Sequence, residues 1–368
     1  MKLGVPKEVK RHEYRVGMTP HSVKAYVKSG HQVLVEKGAG VGSGYDDAEY
    51  AGAGAQMVAD KAELFKQSEM IVKVKEPLPE EYSLFHHGQI LYTYLHLAAS
   101  KDLANALIQK KITGVAYETI ELPDHSLPCL TPMSEIAGRL SVQEGAKYLE
   151  KEFGGRGILL GGVPGVQRGK VGILGGGVVG TNACKIAVGI GANVTVLDIN
   201  AKRLAYLDDI FGSSITTLYA TEANIEYVLK ESDIVIGAVL VAGETAPRLI
   251  TRQHLSIMQH GAVIVDVAID QGGCAETSRP TTHDDPIYIV DNVVHYCVAN
   301  MPGAVARSST IALTSVTLQY GLQIANQGLR AAARANEALR RGINTIDGMC
   351  VHPGVAKSCG LPYTEYKV

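Results

Sequence analysis

Two groups of residues in this chain have types and spacings suited to chemistry: a cluster of glycines and four ionisable side chains at or beyond the ends of apolar runs. Gly175, Gly177 and Gly180 form G-x-G-x-x-G, directly after the apolar run Val171 to Leu174 and at the head of a helical pattern from Val178 to about Ile190. A second apolar run, Val194 to Leu197, ends on Asp198, 23 residues past the first glycine, near the roughly 20 expected of a ribose-binding acid. Gly175 permits a sharp turn, Gly177 lets backbone N–H groups approach a pyrophosphate, and Gly180 lets helix and strand pack closely. The helix N-terminus, with Val178 and Val179, offers unpaired N–H groups and a favourable dipole to phosphates. Asp198 suits a ribose 2′-hydroxyl and would repel a 2′-phosphate, so the pattern favours NAD over NADP. Lys202 and Arg203 weaken that preference, because a basic side chain there could meet a phosphate. A lone glycine motif arises by chance in a chain with 40 glycines. Strand, glycines, helix, second strand and acid in order specify a nicotinamide dinucleotide site.

Open α/β sheets bind ligands beyond the carboxyl ends of their strands. Arg15 lies in the loop after the first strand, Lys75 ends EMIVKVK, His96 follows YTYL, and Asp270 ends AVIVDVAID. Arg15 and Lys75 could hold the carboxylate of an amino or keto acid, the guanidinium through paired hydrogen bonds. His96 could act as acid and base, since imidazole titrates near neutrality. Asp270 could stabilise a cationic intermediate or hold His96 in place. From position alone each reads more readily as a solvated strand end, or for His96 as a core histidine satisfied by backbone. Lys73, His86, His87 and Asp266 fit the same rule almost as well.

The elements that must position these groups alternate in type. Residues 1–130 read as strands at Leu3 to Pro6, His31 to Glu36, Glu69 to Lys75, Gly88 to Leu95 and Gly114 to Glu118, with helices between several of them. Thr19-Pro20, Asp60 and Ser100 are helix starts. Thr131-Pro132 repeats that signal and opens a long helix to about Phe153. Residues 131–304 continue as a dinucleotide domain, ending in a strand pair around Tyr288 to Cys297. From Arg307 to Arg341 the pattern is helical with only Gly321 and Gly328 as interruptions, and 305–368 reads as a return to the first domain. The expectation is α/β: two Rossmann-like, doubly wound parallel sheets separated by a cleft.

Composition narrows the class. A 368-residue chain exceeds what one core usually serves, which favours two domains. A net charge of −2 gives no reason to expect nucleic acid or an anionic membrane as partner. MKLGVPKEVK lacks a signal-peptide core, and the apolar run Ile234 to Ala242 is far short of the ~18 residues of a membrane span. Six cysteines without a C-x-x-C pair suit buried thiols in a reducing cytoplasm. The 12 histidines show no H-x-x-x-H or H-E-x-x-H spacing, so no metal site is expected, and no G-x-S-x-G elbow suggests a serine hydrolase.

At these residues the chain resembles the alanine dehydrogenase/pyridine nucleotide transhydrogenase family over essentially its whole length. The resemblance rests on PKE with RVGMTP, VKVKEP, YTYLHLA, TPMSEIAGRLSVQEGA, GGVPGV, LGGGVVG, DVAIDQGGCAETSRPTTHDDP and HYCVANMPGAV, in order. It implies reversible oxidative deamination of L-alanine to pyruvate and ammonium with NAD, by a cytoplasmic homo-oligomer, typically a hexamer. It implies substrate binding by Arg15 and Lys75 and catalysis by His96 and Asp270. For the cofactor it implies Ser134, the 175–180 loop, Asp198, Arg203, Val239, Leu240, Val267, Ala268, Ile269, Asp270, Arg279, Val298, Ala299, Asn300 and Met301. The sequence departs from the family pattern in four places. Arg203 and Arg279 stand where lysine is common, and Ala220 stands where a serine often touches the adenosine. VAGETAP (241–247) replaces IPGAKAP, and the tail segment INTIDGMCVHPGVA also differs. These departures touch cofactor affinity rather than chemistry. The alternative within the family is the NAD(H)-binding component of a proton-translocating transhydrogenase.

Overall fold

The computed structural model describes residues 1–239 and 246–366. The chain divides into two compact units: Met1–Met133 with Gly303–Val368, and Ser134–Pro302. The first unit carries β1 (Lys2–Val5), β2 (Gln32–Glu36), β3 (Gln56–Val58), β4 (Met70–Val72), β5 (Ile90–Thr93) and β6 (Thr113–Ala116). The second carries β7 (Lys170–Leu174), β8 (Asn193–Asp198), β9 (Ile215–Tyr219), β10 (Ile234–Gly237), β11 (Val263–Asp266), β12 (Ile287–Val290) and β13 (Val293–Tyr296). The chain then returns to the first unit with β14 (Ile343–Ile346) and β15 (Met349–Cys350).

The eight strands of the first sheet run β15-β14-β6-β5-β4-β1-β2-β3. β6 through β3 are parallel, and β14 lies antiparallel to both its neighbours. The seven strands of the second run β12-β13-β11-β10-β7-β8-β9, with only β12 antiparallel. Every residue of β4, β5, β6, β10 and β11 is buried, as strands covered by helices on both faces must be. Each order doubles back once: β1 to β3 build one way and β4 to β6 the other, and β7 to β9 and β10 to β11 do the same. The loops leaving β1 and β4, and those leaving β7 and β10, therefore flank the point where the order reverses, where doubly wound sheets bind ligands.

Local chemistry starts the helices where the sequence places them. Thr19 accepts the Ser22 N–H at 3.2 Å ahead of Pro20–Lys28, and Asp60 accepts the Ala62 N–H at 2.9 Å ahead of Lys61–Gln67. Other boundaries differ from the sequence reading. The strand expected to reach Lys75 stops at Val72. Thr131 lies inside its helix, donating its hydroxyl to the Leu127 carbonyl at 3.0 Å instead of capping, and that helix ends at Tyr148. The single helix expected over 307–341 is three: Ala306–Gln327, Leu329–Ala335 and Glu337–Arg341. Gly328 breaks the first junction with φ 77°, and Asn336 takes an extended conformation and caps the last helix. Gly321 does not interrupt. Between β10 and β11 the described residues form a 3-10 turn at Gln253–Ser256.

Candidate functional site

In the first unit the cationic strand ends are held by acids. Arg15, 2% exposed, is gripped edge-on by Glu13: its Nε donates to Oε1 at 2.7 Å and one terminal nitrogen donates to Oε2 at 2.6 Å. The other terminal nitrogen lies 3.1 Å from Met133 Sδ. Burial pushes the Glu13 carboxyl up, but Arg15, with help from Lys75, outweighs it and holds the acid below its usual range. Lys75 follows β4, half-buried, and its carbonyl accepts the Thr93 hydroxyl at 3.2 Å. Glu76 is ion-paired with Lys10. Burial raises the Glu76 carboxyl, yet Lys10, then Lys75 and His96, bring it down on balance, which places Lys75 and His96 in one electrostatic neighbourhood.

His96 follows β5 in the left-handed region, φ 48° and ψ 35°, with its ring exposed and stacked on Tyr94 at 5.9 Å and 17°. The Tyr94 hydroxyl donates to the Cys129 carbonyl at 2.6 Å, and burial pushes that phenol's pKa up. The rival strand-end residues separate cleanly. Lys73, fully buried, sits between Glu8 at 3.2 Å and Glu81 at 3.1 Å. Burial works against its charge, but the two carboxylates more than offset this, so it is a structural cation. His86 precedes β5, at the opposite end from His96, with Nε2 3.2 Å from the Ser68 carbonyl; His87 is exposed.

In the second unit the glycine motif has the geometry its spacing implies. Gly175 adopts φ 102°, and a Cβ there would lie 2.7 Å from the Ala238 carbonyl, so the turn needs glycine twice over. A Cβ on Gly180 would lie 1.8 Å from the Gly175 carbonyl, which is the close helix–strand contact. Gly177 caps the helix Val178–Ile190, and the space a Cβ would fill is open, leaving the N-terminal N–H groups of Val178 and Val179 approachable. The cradle therefore fits a dinucleotide pyrophosphate.

Asp198 ends β8, accepting the Gly176 N–H at 2.7 Å and the Asn200 N–H at 2.8 Å. Arg203 folds back onto the same loop, donating to the carbonyls of Gly176 and of Gly177 (3.3 Å) and to the Thr181 hydroxyl, with its guanidinium over Tyr206. Half-buried Ser134 opens this unit on the helix Thr131–Tyr148. Four residues on, Gly138 lets that helix meet Val179, whose carbonyl would be 2.2 Å from an added Cβ.

Val239 follows β10; Leu240 and 241–245, the stretch where the sequence departs from IPGAKAP, lie outside the described residues. Val267 to Asp270 form a 3-10 turn after β11, and Asp270 is exposed. Asp266, buried, is the hub of that loop: it accepts Ala268 N–H (3.1 Å), Cys274 N–H (2.8 Å) and the Ser278 hydroxyl (2.5 Å). Arg279 lies over Tyr288 at 4.1 Å. Val298 bridges Thr281, Ala299 donates to the Thr281 carbonyl at 3.3 Å, Asn300 takes φ 65°, and Met301 is buried. Among the described residues no group of histidine, cysteine or acidic side chains is arranged to hold a metal.

Arg15, Lys75 and His96 thus belong to the first unit, and Asp270 and the dinucleotide loops to the second. Sequence reasoning missed Glu13, Glu76, Tyr94 and Glu118. A signal existed for Glu118, because the same strand-end rule that nominated the others applies to it.

A dinucleotide cradle on one doubly wound sheet and cationic strand ends on another define an oxidoreductase of the pyridine-nucleotide-dependent class. The model of the alanine dehydrogenase/PNT N-terminal domain matches residues 4–137, and that of its C-terminal domain matches residues 141–353. The chain belongs to this family. It is 58% identical to an alanine dehydrogenase of Methanococcus maripaludis over 365 residues, covering 99% of this chain and 98% of that one. It is 56% identical to an alanine dehydrogenase of Geobacillus stearothermophilus over 369 residues, with the same coverage. A solved L-alanine dehydrogenase superposes with a TM-score of 0.95 at 54% identity, covering 97% of this chain and 99% of that one. A transhydrogenase from Sinorhizobium meliloti gives 0.82 at 25%, covering 96% and 99%.

Proposed function

We propose that the chain is an NAD-dependent L-alanine dehydrogenase, reversibly converting L-alanine and water to pyruvate and ammonium. The observation that carries this reading is the 56–58% identity to alanine dehydrogenases over the whole length, in a chain that carries Arg15, Lys75, His96 and Asp270 in the segments that follow β1, β4, β5 and β11. NAD, held by the 175–180 loop and Asp198, supplies the hydride acceptor for the alanine Cα–H when bound. Asp198 as acceptor for a ribose hydroxyl supports NAD over NADP. Ser134, Arg203, Val239, Val267 to Asp270, Arg279 and Val298 to Met301 would complete the cofactor contacts.

Arg15, oriented by Glu13, and Lys75 bind the substrate carboxylate. With the amine as neutral NH2, its ammonium proton already lost to solvent, loss of hydride leaves a cationic iminium at the substrate carbon, which Asp270 stabilises while ordering the water. His96 takes a proton from that water as it adds to the carbon. It then returns that proton to the nitrogen and takes the carbinolamine's hydroxyl proton as the C–N bond breaks, so that ammonia and pyruvate leave. Six free and buried cysteines support a reducing, cytoplasmic setting. The family pattern supports a homohexamer, which sedimentation would test.

The deciding experiment follows NADH oxidation with pyruvate, with and without ammonium, in the wild-type protein and in His96→Ala. Turnover should need both pyruvate and ammonium, run far faster with NADH than NADPH, and fall by about 10²–10⁴-fold in the variant, the usual worth of a positioned acid/base. Turnover on pyruvate alone would mean a 2-hydroxy-acid dehydrogenase. NADH binding with no turnover would favour a binding component.

A further inference from the structure

His96 is a β-carbon-bearing residue in a backbone conformation that suits glycine, and such residues persist only where their surroundings over-determine them. β5 ends at Thr93 and β6 at Ala116, so the N–H groups of Leu95 and His96 lie beyond the strand ladder. One carboxylate takes both. Glu118, in the turn Tyr117–Thr119 that follows β6, accepts the His96 N–H on Oε1 at 2.6 Å. It accepts the Leu95 N–H on Oε1 at 3.1 Å and on Oε2 at 3.2 Å. From another direction the Cys359 thiol donates to the Leu97 carbonyl at 3.1 Å, and Tyr94, anchored on Cys129, sets the plane on which the imidazole lies.

We propose that Glu118 is the positioning residue for His96: its carboxylate, by taking two successive backbone N–H groups, holds the left-handed turn from which the imidazole acts. The inference rests on the reading of His96 as acid and base. Glu118 touches no reacting atom in this scheme. It fixes where the ring stands, and misplacement by about 1 Å costs on the order of 10²-fold in rate. An apolar side chain at 118 would leave the turn without this acceptor, and an amide would keep one oxygen but lose the contact that Oε2 makes with the Leu95 N–H. Glutamine has the length, but its NH2 would face an N–H donor.

The test is a double-mutant cycle on the full chain with Glu118→Gln, His96→Ala and the pair together. It measures kcat for pyruvate amination, KM for pyruvate, and NADH affinity by fluorescence titration, with rates counted per NADH-binding site. Glu118→Gln should lower kcat by about 30–100-fold, leave KM and NADH affinity within about threefold, and add nothing in the His96→Ala background. Wild-type kcat in Glu118→Gln overturns the inference, and so does a loss that multiplies with that of His96→Ala. Wild-type turnover in His96→Ala alone overturns instead the acid/base reading beneath it. Should Glu118→Gln not fold, Glu118→Asp, which keeps the charge one methylene short, is carried through the same cycle under the same criteria.

Discussion

The pair Glu13 and Arg15 shows how much a single buried contact can carry. The guanidinium is almost fully enclosed, and a buried charge of this kind is costly unless paired. Glu13→Gln should therefore lower stability by about 3–5 kcal/mol at neutral pH and raise KM for pyruvate by leaving Arg15 misaligned. The pH dependence has a definite sign. The folded-state pKa of Glu13 is depressed, so its contribution is present above the unfolded carboxylate value, about 4.3, and is lost as pH falls through the lower folded value. The gap in melting temperature between wild type and Glu13→Gln should be widest near pH 7 and close below about pH 4. A gap that persists in acid would refute the ionic account. At this scale the sequence was only partly legible. Lys73 and Lys75 share one parity along EMIVKVK, and only the early end of β4 at Val72, with Glu8 and Glu81 brought in from elsewhere, makes one a buried cation. Pairings across such separations leave no local pattern. Glu118 was legible by the rule that found His96.

Elements were read well where their cause is local and poorly where it is tertiary. Caps such as Thr19 and Asp60, and the glycine motif with its two strands, follow from chemistry within a few residues. The helix Ala306–Gln327 shows the other case. Gly321 looks like an interruption on propensity, at about 1 kcal/mol against alanine. Yet the helix passes through it because Tyr26 needs the space: an added Cβ would stand 2.0 Å from the Tyr26 hydroxyl oxygen. Gly321→Ala should destabilise by about 1–3 kcal/mol as overpacking, despite its better propensity. Tyr26→Phe, which removes the clashing oxygen, should recover most of that loss in the double variant, and melting temperatures of the four proteins would show it. If the two changes simply added, the glycine would owe its place to something other than Tyr26. Gly180→Ala offers no such rescue, since it meets the Gly175 backbone.

At the scale of the molecule, the alternation of strands and helices was enough to place two mainly parallel α/β sheets, because that alternation recurs in both halves. The interleaving of the chain makes a further prediction. The second unit is one continuous segment with its own seven-stranded sheet and its own core around Leu174, Val235, Ile264 and Val293. The first unit is built from both ends: β14 pairs with β6, the Thr345 hydroxyl accepts the Gly114 N–H at 3.0 Å, and Cys350, Val355, Ala356 and Cys359 complete its core. Without the tail, β6 becomes an exposed edge and part of that core opens to water. A fragment of residues 134–302 should therefore fold, show a cooperative thermal transition and bind NADH, while a fragment of 1–133 should not fold. Adding residues 303–366 to the latter through a short flexible linker should restore a cooperative transition, because they supply the hairpin and the helices that follow Pro302. A folded 1–133 fragment would mean that the parallel strands suffice on their own, and that the returning hairpin is an addition to a finished sheet rather than part of what makes it stable.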